Sequence, residues 1–79
     1  DLLEGDAGAA LGHAETAEQI FREENARYDQ ARALRMMGRC QRALGSEEKA
    51  SRHFERAAEL FEQLGNLAQL EITRKQWGQ

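Results

Sequence analysis

From Ser46 onward the apolar residues fall at Ala50, Phe54, Ala57, Phe61 and Leu64, in steps of 4, 3, 4 and 3. That spacing is one face of an amphipathic helix. The opposite face carries Arg52, Glu55, Arg56, Glu59 and Glu62. Upstream, Ala10, Ala14, Ala17 and Phe21 repeat the same steps after Asp6. A third helix is predicted between these two, roughly Tyr28 to Leu44. A fourth begins near Leu67 and runs toward the chain end.

Three stretches punctuate the pattern: EGD at 4–6, LGS at 44–46 and LGN at 64–66. Each offers a glycine suited to the left-handed position after a helix, then a residue suited to capping the next one. Asp6, Ser46 and Asn66 are the expected N-caps. Glu47 and Glu48 follow Ser46 and favour the positive end of the helix dipole.

Composition narrows the fold class. The chain has no valine, two isoleucines and two threonines, whereas strands favour β-branched and aromatic residues. An all-α protein is expected. Its 79 residues allow one small domain, with a core that is marginal alone. The net charge of −3 argues against general nucleic-acid binding, which needs a basic footprint. No apolar run reaches membrane-spanning length, and nothing resembles a signal peptide. A single cysteine, Cys40, cannot close an intramolecular disulfide. The opening DLLEGD reads like the end of a helix, which suggests a piece of a larger protein. A cytoplasmic location is expected.

The sequence also repeats. Shifted by 40, Gly5 falls on Gly45, Ala10 on Ala50, His13 on His53 and Glu15 on Glu55. Ala17 falls on Ala57, Phe21 on Phe61 and Gly38 on Gly78. The matches lie on turn glycines and on the apolar stripe, where a structural repeat must agree. A period near 40 in a helical chain implies helix pairs stacked as a solenoid.

Leu34, Met37 and Gly38, followed by Ala50, Phe54 and Ala57, resemble the motif of the tetratricopeptide repeat. In that motif small residues let paired helices approach closely and the aromatic fills the wedge between them. The long period and the ELFEQLGN ending resemble the variety of roughly 40 residues. The resemblance implies antiparallel helix-turn-helix units stacked as a right-handed solenoid, about two units with four helices in one domain over 1–79. Residues 6–24 would be the second helix of a preceding repeat, 28–64 a full repeat, and 67–79 the first helix of the next. Three departures stand out. Gln41 replaces an expected aromatic, no proline follows the second helix, and Arg74 sits where Leu34 predicts an apolar residue. Asn25 and Asn66 align at 41 rather than 40, which leaves the register of the last helix open by one residue.

The stretch RALRMMGRCQRALG, 32–45, holds four arginines and no acid in an otherwise acidic chain. Arg32, Arg35, Arg39 and Arg42 stand at i, i+3, i+7 and i+10, on one helical face. Leu34, Met37, Gln41 and Leu44 form the neighbouring, packing face. In the resemblance the arginine positions line a concave groove, with Lys75 in register with Arg35 and Ile72 with Arg32. Arginine suits fork-like pairing with carboxylate or phosphate. The row is therefore expected to hold an acidic or phosphorylated segment of a protein partner. Two other readings are pairing with Glu15, Glu18, Glu23 and Glu24 of the preceding helix, and plain solvation. The family's carboxylate-clamp positions carry lysine and asparagine. Here they do not, so a clamp for a chain terminus is not implied.

His13 and His53 stand one repeat apart and are expected to face outward, and no metal or cofactor site is expected. Cys40, sharing a face with Met36, Met37 and Leu44, is expected to be a small buried residue. Met36 and Met37 are expected to fill core, with an adaptable binding surface as the other reading. Trp77 takes the place of Met37 and should lie in the core, uncovered here by any following helix. With no nucleophile–base pair and no phosphate loop, an enzyme is not expected. The expected function is a protein–protein interaction scaffold. Two alternatives are a homodimer formed through uncovered terminal helices, and an internal repeat of a larger signalling or transcription regulator.

Overall fold

The computed structural model describes residues 6–78. They form four helices: α1 (Ala7–Glu23), α2 (Arg27–Ala43), α3 (Glu47–Gln63) and α4 (Leu67–Trp77). There is no strand among the described residues. The predicted bounds hold to within about two residues at each described end, as helix termini allow. The EGD turn with its Gly5 lies outside the described residues, apart from Asp6.

Each helix starts 20 residues after the one before it, at Ala7, Arg27, Glu47 and Leu67. The three connections share one geometry. Asn25, Gly45 and Gly65 have φ of 59°, 86° and 71°. The amides of Ala26, Ser46 and Asn66 donate to the carbonyls of Phe21, Gln41 and Phe61, five residues back. The amides of Asn25, Gly45 and Gly65 donate to Arg22, Arg42 and Glu62. These are Schellman closures, which satisfy the carbonyls a helix end leaves free. Asn25 occupies the place of Gly65, so the repeat step is 40 throughout and the alignment of Asn25 with Asn66 is corrected.

The expected caps are corrected in part. Asp6, Ser46 and Asn66 all stand at N-cap positions, but only Asn66 uses its side chain, accepting from the Gln69 amide at 3.2 Å.

Three-residue connections force neighbouring helices to run antiparallel. α2 packs between α1 and α3, and α3 between α2 and α4. α2 also touches α4. These contacts are consistent with a helical repeat.

Ala50, Phe54, Ala57 and Phe61 are all fully buried. Leu60 joins them, but Leu64 is exposed beyond the helix end. On α2, Leu34, Met37, Gln41 and Cys40 are buried. Leu44 and Met36 are not, which corrects both the packing face and the core role given to Met36. Leu44 sits at the C-cap, past the last residue of α2. Gly38 faces Phe54: a Cβ there would stand 3.0 Å from ring atoms Cδ2 and Cε2. On α4, Leu70 and Thr73 are buried and Arg74 is exposed. No following helix stands over Arg74 among the described residues. No helix there is long and apolar enough to cross a membrane.

Candidate functional site

A groove of about 730 Å³, open to solvent, is lined by α1 and α2. Its α1 wall is apolar, built by Ala10, Ala14, Ala17 and Phe21 with His13 beside them. Its α2 wall carries Asp29, Ala33 and Met36, with Arg32, Arg35 and Arg39 along the flank. Gln76 of α4 closes one end. Its Oε1 is buried with no hydrogen-bond partner among the described residues.

The arginine row divides into two pairs. Arg35 is half-buried and reaches α4, donating to Gln69 Oε1 at 2.7 Å and to Thr73 Oγ1 at 3.3 Å. Its guanidinium also stands over Phe61, 5.4 Å from the ring centroid. Burial, followed by the neighbouring charge of Arg32, holds Arg35 below the ordinary arginine range. It remains a cation at neutral pH, because arginine starts so far above it. Arg42 is spent on structure. Its Nε donates to Glu47 Oε1 at 3.2 Å. Its two terminal nitrogens donate to the backbone carbonyls of Gln76 and Trp77. These contacts satisfy the free carbonyls at the C-terminus of α4. Arg42 does not line the groove.

Arg32 and Arg39 are the pair left over. Arg32 is exposed, 5.9 Å above the Tyr28 ring, and Arg39 is half-buried. Neither forms an ion pair among the described residues. The glutamates of α1 do not answer the row. Glu18 is buried, accepts from Gln30 Nε2 at 2.9 Å and lies 3.8 Å from Arg22. Glu15, Glu23 and Glu24 are exposed and form no ion pair among the described residues. The acid that does meet the row is Glu47, in the first turn of α3, and it reaches Arg42 alone.

Lys75 is exposed and paired with Glu71 at 3.4 Å, one turn back on α4, and is not part of the groove wall. His13 faces out, but His53 is half-buried, with Nδ1 2.6 Å from Gln41 Oε1. That corrects its outward placement. The polar Gln41, standing where an aromatic was expected, is the reason. Trp77 is half-buried and donates from Nε1 to Ser51 Oγ at 3.2 Å. Among the described residues no three His, Cys, Asp or Glu side chains gather to hold a metal.

Besides the arginines and Met36, the groove is lined by residues to which sequence reasoning gave no site role: Ala10, His13, Ala14, Ala17, Phe21, Asp29, Ala33 and Gln76. Their signal was periodicity taken one step further: each has a repeat partner 40 residues away whose surroundings differ. Met36, expected in the core first and on an adaptable surface second, is exposed on the groove wall. A scan against protein-family models and searches of curated proteins and solved structures gave no match for this chain.

Proposed function

We propose that the chain is a protein-binding module of the tetratricopeptide-repeat type, a right-handed helical stack whose α1–α2 groove holds an acidic segment of a partner. The carrying observation is the unanswered pair Arg32 and Arg39, set beside an apolar wall in an otherwise acidic protein. Arg32 stands three residues from Arg35, and Arg39 stands four from Arg35 and three from Arg42, like-charge spacings that cost roughly a few tenths of a kcal/mol per pair. A partner carboxylate or phosphate offsets that cost and gains charge-assisted hydrogen bonds. The apolar α1 wall supplies the area that charge contacts alone do not, since exposed ion pairs contribute about 1 kcal/mol or less each.

The motif residues Leu34, Met37, Gly38, Ala50, Phe54 and Ala57 support the same reading by holding α2 close to α3. Arg35 serves two purposes in this arrangement, joining α2 to α4 and adding positive potential to the groove.

The test is a titration of a fluorescein-labelled glutamate-rich peptide against the wild type and the double variant Arg32→Glu, Arg39→Glu. Binding that weakens as salt is raised, and is lost in the double variant, supports the reading. Equal binding to both proteins, or none at low salt, overturns it.

A further inference from the structure

Arg35 is a half-buried cation whose partners on α4, Gln69 Oε1 and Thr73 Oγ1, are neutral oxygens. It forms no ion pair among the described residues. Taking a charge out of water is costly unless an opposite charge replaces the water. Here the neighbouring charges add to the cost. Burial first, then the charge of Arg32 and, more weakly, that of Arg39, hold Arg35 below the ordinary arginine range. Asp29 is the one acid of α2, and it lines the groove without an ion pair among the described residues.

Tyr28, Arg32 and Arg35 stand at i, i+4 and i+7, on one face of α2. Two rings hold the two guanidiniums there. Arg35 stands over Phe61 at 5.4 Å, Tyr28 meets Phe61 edge-on at 5.9 Å, and Arg32 stands over Tyr28 at 5.9 Å. Both bonds of Arg35 to α4 use Nη1, and its guanidinium carries further donors on Nε and Nη2. Arg32 and the Tyr28 hydroxyl add donors to the same face, and both residues are exposed.

Helix stacking leaves this face open. At the 40-residue step Tyr28, Arg32 and Arg35 correspond to Ala68, Ile72 and Lys75 of α4. α2 packs on α4, yet all three of those residues are exposed. By contrast Gln69, Thr73 and Gln76, equivalents of the groove residues Asp29, Ala33 and Met36, are buried or half-buried. Tyr28 and Arg32 thus stay accessible whether or not a further helix covers the α1–α2 groove.

We propose that Tyr28, Arg32 and Arg35 form a binding site for a phosphate monoester carried by a protein partner. The site rests on the partner-binding reading above, and it adds which anion is held and by which residues. A phosphate monoester carries about −1.5 to −2 charge at neutral pH and three strong acceptor oxygens. Two guanidiniums and a phenol match that charge and that third oxygen better than they match a carboxylate. Arg35 is already held by Gln69, Thr73 and Phe61, so little side-chain freedom is lost when the anion arrives.

The experiment uses two labelled peptides of one neutral sequence that differ at a single central residue, phosphoserine in one and glutamate in the other. Binding is followed by anisotropy, with a thermal melt of each variant as the check on folding. The phosphopeptide should bind at least about tenfold tighter than the glutamate peptide. Arg32→Gln, at an exposed position, should weaken the phosphopeptide by about tenfold or more. Tyr28→Phe, which keeps the ring against Phe61, should weaken it by about threefold to tenfold. Equal binding of the two peptides, lost together in the Arg32→Glu, Arg39→Glu protein, overturns the phosphate site and leaves the acidic-segment reading standing. Binding of neither overturns the phosphate site, and the glutamate-rich peptide then decides the acidic-segment reading alone. A phosphopeptide preference that survives both Arg32→Gln and Tyr28→Phe puts the anion elsewhere and overturns the site. Inorganic phosphate that displaces the phosphopeptide at equal concentration overturns the protein partner in favour of a free ion.

Discussion

Gly38 lies so close to Phe54 that a Cβ on it would stand 3.0 Å from the ring. Phe54 is fully buried beneath the Arg42 guanidinium, 5.0 Å from its centroid, and has no free side to move toward. In an open helix, Gly→Ala stabilises by about 1 kcal/mol. At Gly38 overpacking of about 1–3 kcal/mol opposes that gain. Gly38→Ala should therefore lower the denaturation midpoint. Gly12→Ala, in the interior of α1 with nothing within 4 Å, should raise it. Equal gains for both variants would mean that the α2–α3 approach is not limiting.

Arg42 joins three elements through one side chain. Arg42→Ala should free the carbonyls of Gln76 and Trp77 and cost about 1–2 kcal/mol. Trp77, the sole tryptophan, reports on it directly. Its emission should shift to the red as the end of α4 frays. Arg42→Lys should recover less than half of the loss, because an ammonium does not span two carbonyls in a fixed fork. An unchanged emission spectrum in Arg42→Ala would contradict the capping role.

Phe21 and Phe61 occupy equivalent places under different cover. Phe61 is fully buried, with the Tyr28 ring at 5.9 Å, and Phe61→Ala should cost about 3–5 kcal/mol. Phe21 is half-buried on the groove wall, so Phe21→Ala should cost about half as much. Thermal melts of the two variants decide it. Equal losses would mean that the α1 wall is covered in solution.

Cys40 is fully buried, and burial pushes its thiol above the ordinary range. A raised folded value means the folded state keeps its proton after the unfolded chain has lost it. Stability should then fall as pH rises through the ordinary thiol range, about 8.5. Cys40→Ala should flatten that alkaline slope. A disulfide reagent should label Cys40 only at the rate at which the chain opens. Immediate labelling of the folded protein would contradict the burial.

Much of the fold was legible because the signals were local. Helix period, turn glycines and the small-residue stripe act within a few residues of chain. Asn25 escaped by being an asparagine in a glycine position. The left-handed region admits Asn through its short polar side chain, so the closure at 24–26 looked like a shift of register.

The arginine row shows where local signals end. Sequence alone determined that four guanidiniums share one face of α2, because helical geometry fixes that. It also determined the 40-residue step and therefore which positions are equivalent. Only the tertiary structure decided that Arg42 would be taken up by the end of α4 and Arg35 by Gln69 and Thr73, leaving Arg32 and Arg39. The same packing left Ala10, Ala17 and Phe21 open while covering Ala50, Ala57 and Phe61. The reason is physical: a periodic sequence repeats its side chains, but each helix has different neighbours. Which repeat is covered, and which remains a groove, is set by those neighbours.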